Sequence, residues 1–291
     1  MERNELTQIR KKLKKEQRQI RMRAFRKNKT SMVGLVIVVL ITCIAIFAPL
    51  IATHDPHKLD VVNRLKPPSA AHFFGTDDMG RDVFSCVVYG ARTSLFVGFV
   101  VSLISGLIGM MIGIYATASP FLDNLFMRIC DGLKAIPTNM FAICLMAVLG
   151  PSVRNIIISL VLVSAPGIAR MARAQAMVAK EQTYVEAMRC LGASKNRILW
   201  RHIAPNTLSP VIVQMTFIFA TAIVTEAALS FLGAGIPAGE PSWGATLSVG
   251  RAHIFTSWWL VAFPGIFTGI TVLGLNLFGD GVRDLLDPMT N

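Results

Sequence analysis

Charged residues are scarce in this 291-residue chain, at 16% of the sequence, whereas hydrophobic residues make up 53% and the mean hydropathy is +0.54. Soluble domains carry about a quarter charged residues, so this composition indicates an integral membrane protein. The five cysteines include no CxxC pair, which leaves no sign of a disulfide framework or a zinc finger. The sequence also has no GxxxxGK[ST], HExxH or GxSxG motif. It therefore lacks the common signatures of phosphate-binding loops, zinc proteases and serine hydrolases.

The net charge of the chain is +12, and the excess of positive residues is concentrated in two blocks. Residues 1–30 hold twelve Lys/Arg and three Glu, and residues 170–201 hold seven Lys/Arg and two Glu. The rest of the chain is nearly neutral. A nucleic-acid-binding protein would carry its charge on a soluble domain with a recognisable reader, so nucleic acid is not an expected partner.

Six apolar stretches have the roughly 20-residue length that a bilayer requires. They predict an all-α integral membrane protein with six transmembrane helices, at about 32–52, 94–117, 126–149, 155–173, 208–232 and 258–279. Lys and Arg near the ends of spans stay in the cytoplasm. The basic tail therefore orients the bundle with both termini inside, together with the 174–205 loop. The loops expected outside are 53–93, 150–154 and 233–257.

Few polar groups interrupt the predicted spans. Asp131 and Lys134 are three residues apart on one helix, where they could pair, and Glu226 has no partner close in sequence. An intramembrane carboxylate is a candidate functional residue. Glu226 and Asp131 are therefore candidates for a pore or gate, with Pro137, which could kink its span. Ordinary structural roles stay open for all three.

Two histidines, His54 and His57, flank the Asp55-Pro56 turn that follows the first predicted span. Two imidazoles this close could hold a metal ion. Histidines on a turn are more often plain surface residues, however, and we predict no metal site.

The basic tail has two interpretations. Leu6, Ile9, Leu13 and Ile20 fall on one face at helical period, which is typical of an amphipathic helix lying on anionic membrane lipid. A solvated tail that only fixes the orientation of the bundle is the alternative.

The 174–205 loop is long for a connection within a helical bundle. It predicts two short helices, the first over about 182–191. Gly192 can supply the left-handed residue that ends this helix, and Ser194 can cap the next one, which ends where Pro205 breaks it. The small residues between the helices allow close approach of a partner protein. A pair of helices on the membrane surface is an equally good interpretation of these features alone.

Several motifs carry a resemblance to a known family. Glu186-Ala187-Met188-x3-Gly192, followed by Ile203-Ala204-Pro205, resembles the EAA loop of ABC importer permeases. Met188 stands where alanine is usual, and the downstream spacing departs from the short consensus. Other stretches resemble the dipeptide, oligopeptide and nickel importer permeases, and the best match is the C-type subunit of a heterodimeric pair. These stretches are HFFGTDDMGRDVFSCVVYGARTSL (72–95), EAALSFLGAGIP (226–237) and PSWGATL (241–247).

The resemblance implies a methionine-importer-like permease fold with an extra N-terminal span, in the bacterial cytoplasmic (inner) membrane. It also implies three kinds of partner: a homologous B-type permease subunit, two ABC ATPase subunits that bind ATP and Mg²⁺, and an extracytoplasmic substrate-binding protein. The chain itself is then not an enzyme and needs no cofactor. Its cargo would be di- or oligopeptides, or a nickel chelate. An ion-coupled secondary transporter is the alternative from another class, and it would need more intramembrane carboxylates.

The same resemblance divides the chain and assigns candidate contacts. The divisions are a basic cytoplasmic tail (1–30), the first span with an extracytoplasmic loop (31–93), a permease core (94–279) containing the 174–205 coupling loop, and a cytoplasmic C-terminal tail (280–291). The candidate contacts to an ATPase groove are Glu186, Ala187, Met188, Arg189, Gly192 and Ala193. Glu186 would position its helix or pair with a basic ATPase residue. The alternative is that Glu186 only stabilises the first turn of its own helix.

The sequence leaves the role of one segment in the first outside loop open. Its candidate residues are Gly75, Thr76, Asp77, Gly80, Arg81 and Asp82. They could contact the binding protein, form a gate, or make up a folded turn, and the residue types do not choose among these.

Overall fold

A computed structural model describes residues 28–237 and 239–286. The tail positions Leu6 to Ile20 lie outside these residues. In the described part the chain is helical, and its extended pairing is a single isolated bridge between Thr76 and Asp82. The helices are α1 Lys29–Ile46, α2 Ala48–Ile51, α3 Val83–Ala116, α4 Pro120–Ala135, α5 Thr138–Leu149, α6 Val153–Lys180, α7 Thr183–Cys190, α8 Lys195–Ile198, α9 Ala204–Phe231, α10 Trp243–Ala252 and α11 Trp259–Leu286.

Five helices of the described part are long and apolar enough to cross a membrane: α1, α3, α6, α11, and α9 together with the residues from Lys195. The predicted span 126–149 is instead a bent pair, in which α4 and α5 meet at 89°. The break falls at Ile136 and Pro137, where both residues are extended, because a proline disfavours helical backbone in the residue before it. The six predicted spans are recovered if this pair counts as one. The expected kink at Pro137 is a complete break.

The centre of the bundle is α3, which packs against α6 and α9, while α1 packs against α11. A Cβ added to Gly109 would lie 2.6 Å from the Cβ of Ile168, and one added to Gly113 would lie 2.6 Å from the carbonyl oxygen of Ala169. This GxxxG spacing therefore lets the backbones of α3 and α6 approach closely.

Several helices extend beyond the predicted spans. Helix α3 begins at Val83, ahead of the predicted start at 94, because the Asp82 side chain accepts a hydrogen bond from the Ser85 N–H and caps it. Helix α6 continues to Lys180, and α11 continues to Leu286. The segment predicted as a C-terminal tail therefore starts within a helix.

The prediction that Pro205 ends the second helix of the 174–205 loop is wrong. Pro205 lies in the first turn of α9, and a π turn over Leu199–Ile203 joins α8 to α9. In this turn the Ala204 N–H donates to the Leu199 carbonyl, five residues back. A proline crowds the carbonyl four residues before it. The wider turn accommodates this crowding, so the helix continues.

Candidate functional site

Helix α7 ends as the sequence predicts. Gly192 has a φ of +74°, in the left-handed region that side chains disfavour. Its N–H donates to the Arg189 carbonyl at 3.0 Å, and the Ala193 N–H donates to the Met188 carbonyl at 3.1 Å. These are the two bonds of a Schellman motif. No atom lies within 4 Å of a Cβ added to Gly192, so backbone conformation, not crowding within the chain, requires glycine here.

The predicted ATPase-contact residues divide between two faces of α7. Val185 is completely buried, and Met188 and Ala193 are partly buried in the same cluster, which includes Ile114 and Ala176 of α3 and α6. The exposed members are Glu186, Ala187, Arg189 and Gly192. These four are accessible to a partner, whereas Met188 and Ala193 pack mainly against the chain's own core.

Polar side chains attach α7 to the neighbouring helices. The Tyr184 hydroxyl donates to the His202 carbonyl at 3.2 Å. The Asn206 amide donates to the same carbonyl at 2.9 Å and to the Tyr184 oxygen at 2.5 Å. At the end of α6, the Lys180 ammonium donates to the Thr117 carbonyl, just beyond α3, at 2.7 Å. Direct hydrogen bonds therefore join α7 to the π turn and to the start of α9. Ser194 caps α8 as predicted.

Glu226 is completely buried within α9. Its carboxyl accepts hydrogen bonds from the hydroxyls of Ser94 at 3.1 Å, Ser230 at 2.9 Å and Ser242 at 3.4 Å. These serines lie on α3, on α9 and at the cap of α10, so the carboxyl connects three elements. The geometry is that of a structural junction, and a role for Glu226 in a pore or gate stays a prediction.

Asp131 pairs with a different residue from the one its sequence spacing suggested. Its carboxylate lies 3.5 Å from Arg170 on α6, not in an ion pair with Lys134 on its own helix. Both partners border an open cleft of about 660 Å³ between α4 and α6. Pro137 lies exposed at the break after α4. The cleft does not include Glu226, so the three pore candidates do not form one site in the described residues.

The segment between α2 and α3, the 52–82 loop, is a folded turn. All six candidate residues in it are buried: Gly75, Thr76, Asp77, Gly80, Arg81 and Asp82. These side chains pack inside a folded turn, so little of their surface is exposed. A contact with the binding protein or a gate at this segment stays a prediction.

Hydrogen bonds inside the turn account for its charged residues. Asp77 Oδ1 accepts from the N–H groups of Met79 at 2.9 Å and Arg81 at 2.8 Å, and Arg81 Nε donates to Asp77 Oδ2 at 2.6 Å. Burial lowers the pKa of Arg81, but the charge of Asp77 and its hydrogen bond more than offset this, so the pKa lies above its ordinary value. The Trp259 indole N–H donates to the Thr76 carbonyl at 3.1 Å, which connects the turn to α11.

The two histidines singled out in the sequence do not face each other. His57 Nδ1 lies 3.1 Å from the Gly239 carbonyl oxygen. The ring of His54 instead lies beside that of His72, with a centroid distance of 4.8 Å. Because His72 is distant from His54 along the chain, the sequence alone does not indicate that the two could share a ligand.

Comparisons with known proteins agree with this fold. The family of binding-protein-dependent transport system inner membrane components matches residues 105–291, and the N-terminal TM domain of oligopeptide transport permease C matches residues 17–68. The dipeptide transport system permease protein of Alkalihalophilus pseudofirmus is 44% identical over 267 residues, which cover 90% of this chain and 87% of that protein. The oligopeptide transport system permease protein of Bacillus subtilis is 43% identical over 271 residues, which cover 92% and 88%.

A solved structure of the inward-facing MetNI methionine ABC transporter matches with a TM-score of 0.58 at 18% identity, over 69% of this chain and 96% of that one. The protein thus has the fold of an ABC importer permease subunit, in a multi-pass inner-membrane arrangement. The chain belongs to the family of binding-protein-dependent transport system inner membrane components. Membership implies a partner permease and ATPase subunits.

Proposed function

We propose that the chain is the C-type permease subunit of an importer for di- or oligopeptides. Its relatives in Alkalihalophilus pseudofirmus and Bacillus subtilis are permease proteins of a dipeptide and an oligopeptide transport system, which supports this cargo. A homologous B-type permease completes the translocation path, and two ATPase subunits bind and hydrolyse ATP with Mg²⁺. The chain carries no phosphate-binding motif of its own, in keeping with a subunit that conducts cargo without catalysing a reaction.

The observation that carries the proposal is the mechanical link between α7 and α9. Helix α7 presents the side chains of Glu186 and Ala187 outward, and Gly192, just beyond its end, is also exposed, while Val185 is buried against the core. The hydrogen bonds of Tyr184 with His202 and Asn206, and the continuous helix through the π turn, connect this surface to a span. An ATPase pair docked there could rock α9 as a rigid element when it closes on ATP, because ATP binds the two states with different affinity.

The orientation is part of the proposal. The basic segment 170–201 and the basic tail lie together on the cytoplasmic side under the positive-inside rule, so both termini are cytoplasmic. The 52–82 loop and the segment between α9 and α11 then face the extracytoplasmic binding protein. Because the candidate residues of the turn are buried, we assign the binding-protein contact to exposed neighbours such as Phe73 and Met79.

A pair of alanine-to-aspartate variants tests the ATPase contact. Ala187→Asp places a charge on the exposed face of α7, and Ala70→Asp places the same charge on an exposed site of the 52–82 loop. We expect Ala187→Asp to abolish peptide uptake and to reduce co-purification of the ATPase subunits. Ala70→Asp should leave that co-purification unchanged. Gly192→Asp should uncouple ATP hydrolysis from uptake or block ATPase assembly. Wild-type uptake by both Ala187→Asp and Gly192→Asp would contradict the docking proposal.

A separate experiment tests the cargo. Proteoliposomes containing the complete importer and its cognate binding protein are given labelled dipeptide, labelled oligopeptide or a nickel chelate, with ATP inside. We expect ATP-dependent peptide uptake. Uptake of nickel alone would assign the nickel alternative, and proton-driven uptake without ATPases would assign a secondary transporter. Asp131→Asn, measured in the same assay, tests whether the cleft between α4 and α6 belongs to the path.

A further inference from the structure

Three side chains that are well separated along the 52–82 loop meet at the start of α3. His54 lies at the beginning of the loop, just after α2, His72 lies in its second half, and Asp82 ends it and caps α3. One ligand atom from each lies within 4.8 Å of the other two. His72 Nδ1 is 3.0 Å from Asp82 Oδ1, and His54 Nδ1 is 3.9 Å from Asp82 Oδ2. His72 Nδ1 therefore contacts the carboxylate directly, whereas His54 Nδ1 lies near it and 3.0 Å from the Thr53 hydroxyl oxygen.

The carboxylate is held in place by other donors. Asp82 Oδ2 accepts hydrogen bonds from the Ser85 N–H at 2.9 Å, the Ser85 hydroxyl at 2.7 Å and the Thr53 hydroxyl at 3.2 Å. Oδ1 faces His72 alone among the described residues. The side chain of Asp82 is 1% exposed. One carboxylate oxygen is thus fixed and desolvated, with one imidazole nitrogen as its neighbour.

These distances are close to those of a metal site. A metal ion bound at about 2.0–2.2 Å in a tetrahedron keeps its ligand atoms about 3.3 Å apart. The distance of 3.0 Å between His72 Nδ1 and Asp82 Oδ1 is close to this spacing. The side chain of His54 is 44% exposed, so it has room to move by the ångström or so that remains. Its exposure also gives an ion a route of entry from solvent.

We propose that His54, His72 and Asp82 form a binding site for a divalent transition-metal ion. The ligands are Nδ1 of each imidazole and Oδ1 of the carboxylate, with a fourth position open to water. Two imidazoles and one carboxylate suit ions of the Zn²⁺ class more than Mg²⁺ or Ca²⁺. Binding replaces the proton between His72 and Asp82. The ion would fasten the segment after the first span to the start of α3.

Zn²⁺ binding to the full-length chain, purified with its partner permease and without a histidine tag, tests the site. Bound Zn²⁺ is measured by equilibrium dialysis with elemental analysis, and thermal unfolding is followed with and without Zn²⁺. We expect one Zn²⁺ per copy of this chain and a higher Tm in its presence. His54→Gln and His72→Gln should each bind Zn²⁺ at least about tenfold more weakly and lose the Tm shift.

The control is His57→Gln, because His57 lies in the same loop but faces the Gly239 carbonyl. It should bind Zn²⁺ as the wild type does. Glutamine can still donate a hydrogen bond to Asp82, so His72→Gln separates loss of the metal from loss of the fold. His54→Gln changes a half-exposed side chain, so it removes one metal ligand with little effect on folding and provides a second, independent test. Equal Zn²⁺ binding by the wild type and either variant, or no binding by the wild type, would overturn the proposal.

Discussion

The 52–82 loop and the 174–205 loop lie at opposite ends of α3 and use polar residues in opposite ways. In the 52–82 loop, Asp77 and Arg81 are buried and bonded to each other. In the 174–205 loop, Glu186 and Arg189 are exposed, and the described chain offers them no ion-pair partner. Helix α3 is about 51 Å long at 1.5 Å per residue, so the two loops lie at the two ends of the bundle.

The difference separates residues that stabilise the fold from residues that, under the proposed function, contact a partner protein. A buried charged pair is strongly destabilising when it is half removed, because it leaves an unpaired charge out of water. An exposed charge contributes little to stability. The exposed charges of α7 are therefore not explained by the stability of the chain, which favours a role in binding. Both loops contain glycines in the left-handed region, and these glycines provide a direct test.

The largest expected effect is that of Gly80→Ala, compared with Gly192→Ala. Both glycines have φ near +75°, so the backbone strain is similar, at about 1–2 kcal/mol. A Cβ on Gly80 would lie 1.7 Å from the Asp60 carbonyl oxygen, whereas one on Gly192 meets nothing within 4 Å. We expect Gly80→Ala to lower the free energy of unfolding by more than about 5 kcal/mol and to leave little folded protein. Yield and unfolding in detergent measure this, and equal losses would contradict it.

The next effect is that of Arg81→Met, which should cost about 3–5 kcal/mol because Asp77 is left buried without its ion partner. Adding Asp77→Asn should recover part of this loss, since the amide oxygen still accepts from the backbone. Arg170→Met removes the exposed pair with Asp131 and should cost less than about 1 kcal/mol. Chemical unfolding of the purified variants measures all three. A smaller loss for Arg81→Met than for Arg170→Met would contradict the expected difference between a buried and an exposed ion pair.

The smallest effect is that of Tyr184→Phe, which removes the hydroxyl that joins α7 to the start of α9. The free energy of unfolding should fall by only about 1 kcal/mol. Peptide uptake per ATP hydrolysed should nevertheless decrease clearly, because under the proposal these hydrogen bonds transmit the motion of α7 to α9. Tyr89→Phe is the matched control, since the Tyr89 hydroxyl has no hydrogen bond within the described residues. Unchanged coupling in Tyr184→Phe would indicate that the helix alone carries the link.

Local chemistry explains which parts of this structure could be predicted. Gly192 ends α7 and Ser194 caps α8 as expected, because both roles depend on neighbouring backbone. The partner of Asp131 could not be predicted from spacing on its own helix, since it comes from α6. The same holds for two of the serines around Glu226. Long-range pairings depend on how the helices pack against one another, and the spacing of residues along the sequence does not show this.

The π turn also fixes an angular relationship. A π turn adds one residue to an α-helix, and one residue corresponds to about 100° of rotation. The side chains of α9 are therefore rotated about the helix axis, relative to those of α8, by the angle of this one added residue. Deleting a residue between Leu199 and Ile203 would restore an uninterrupted α-helical count and rotate the loop about the axis of the span. The rotational position of the proposed ATPase contact relative to the span thus depends on the length of a single helical turn.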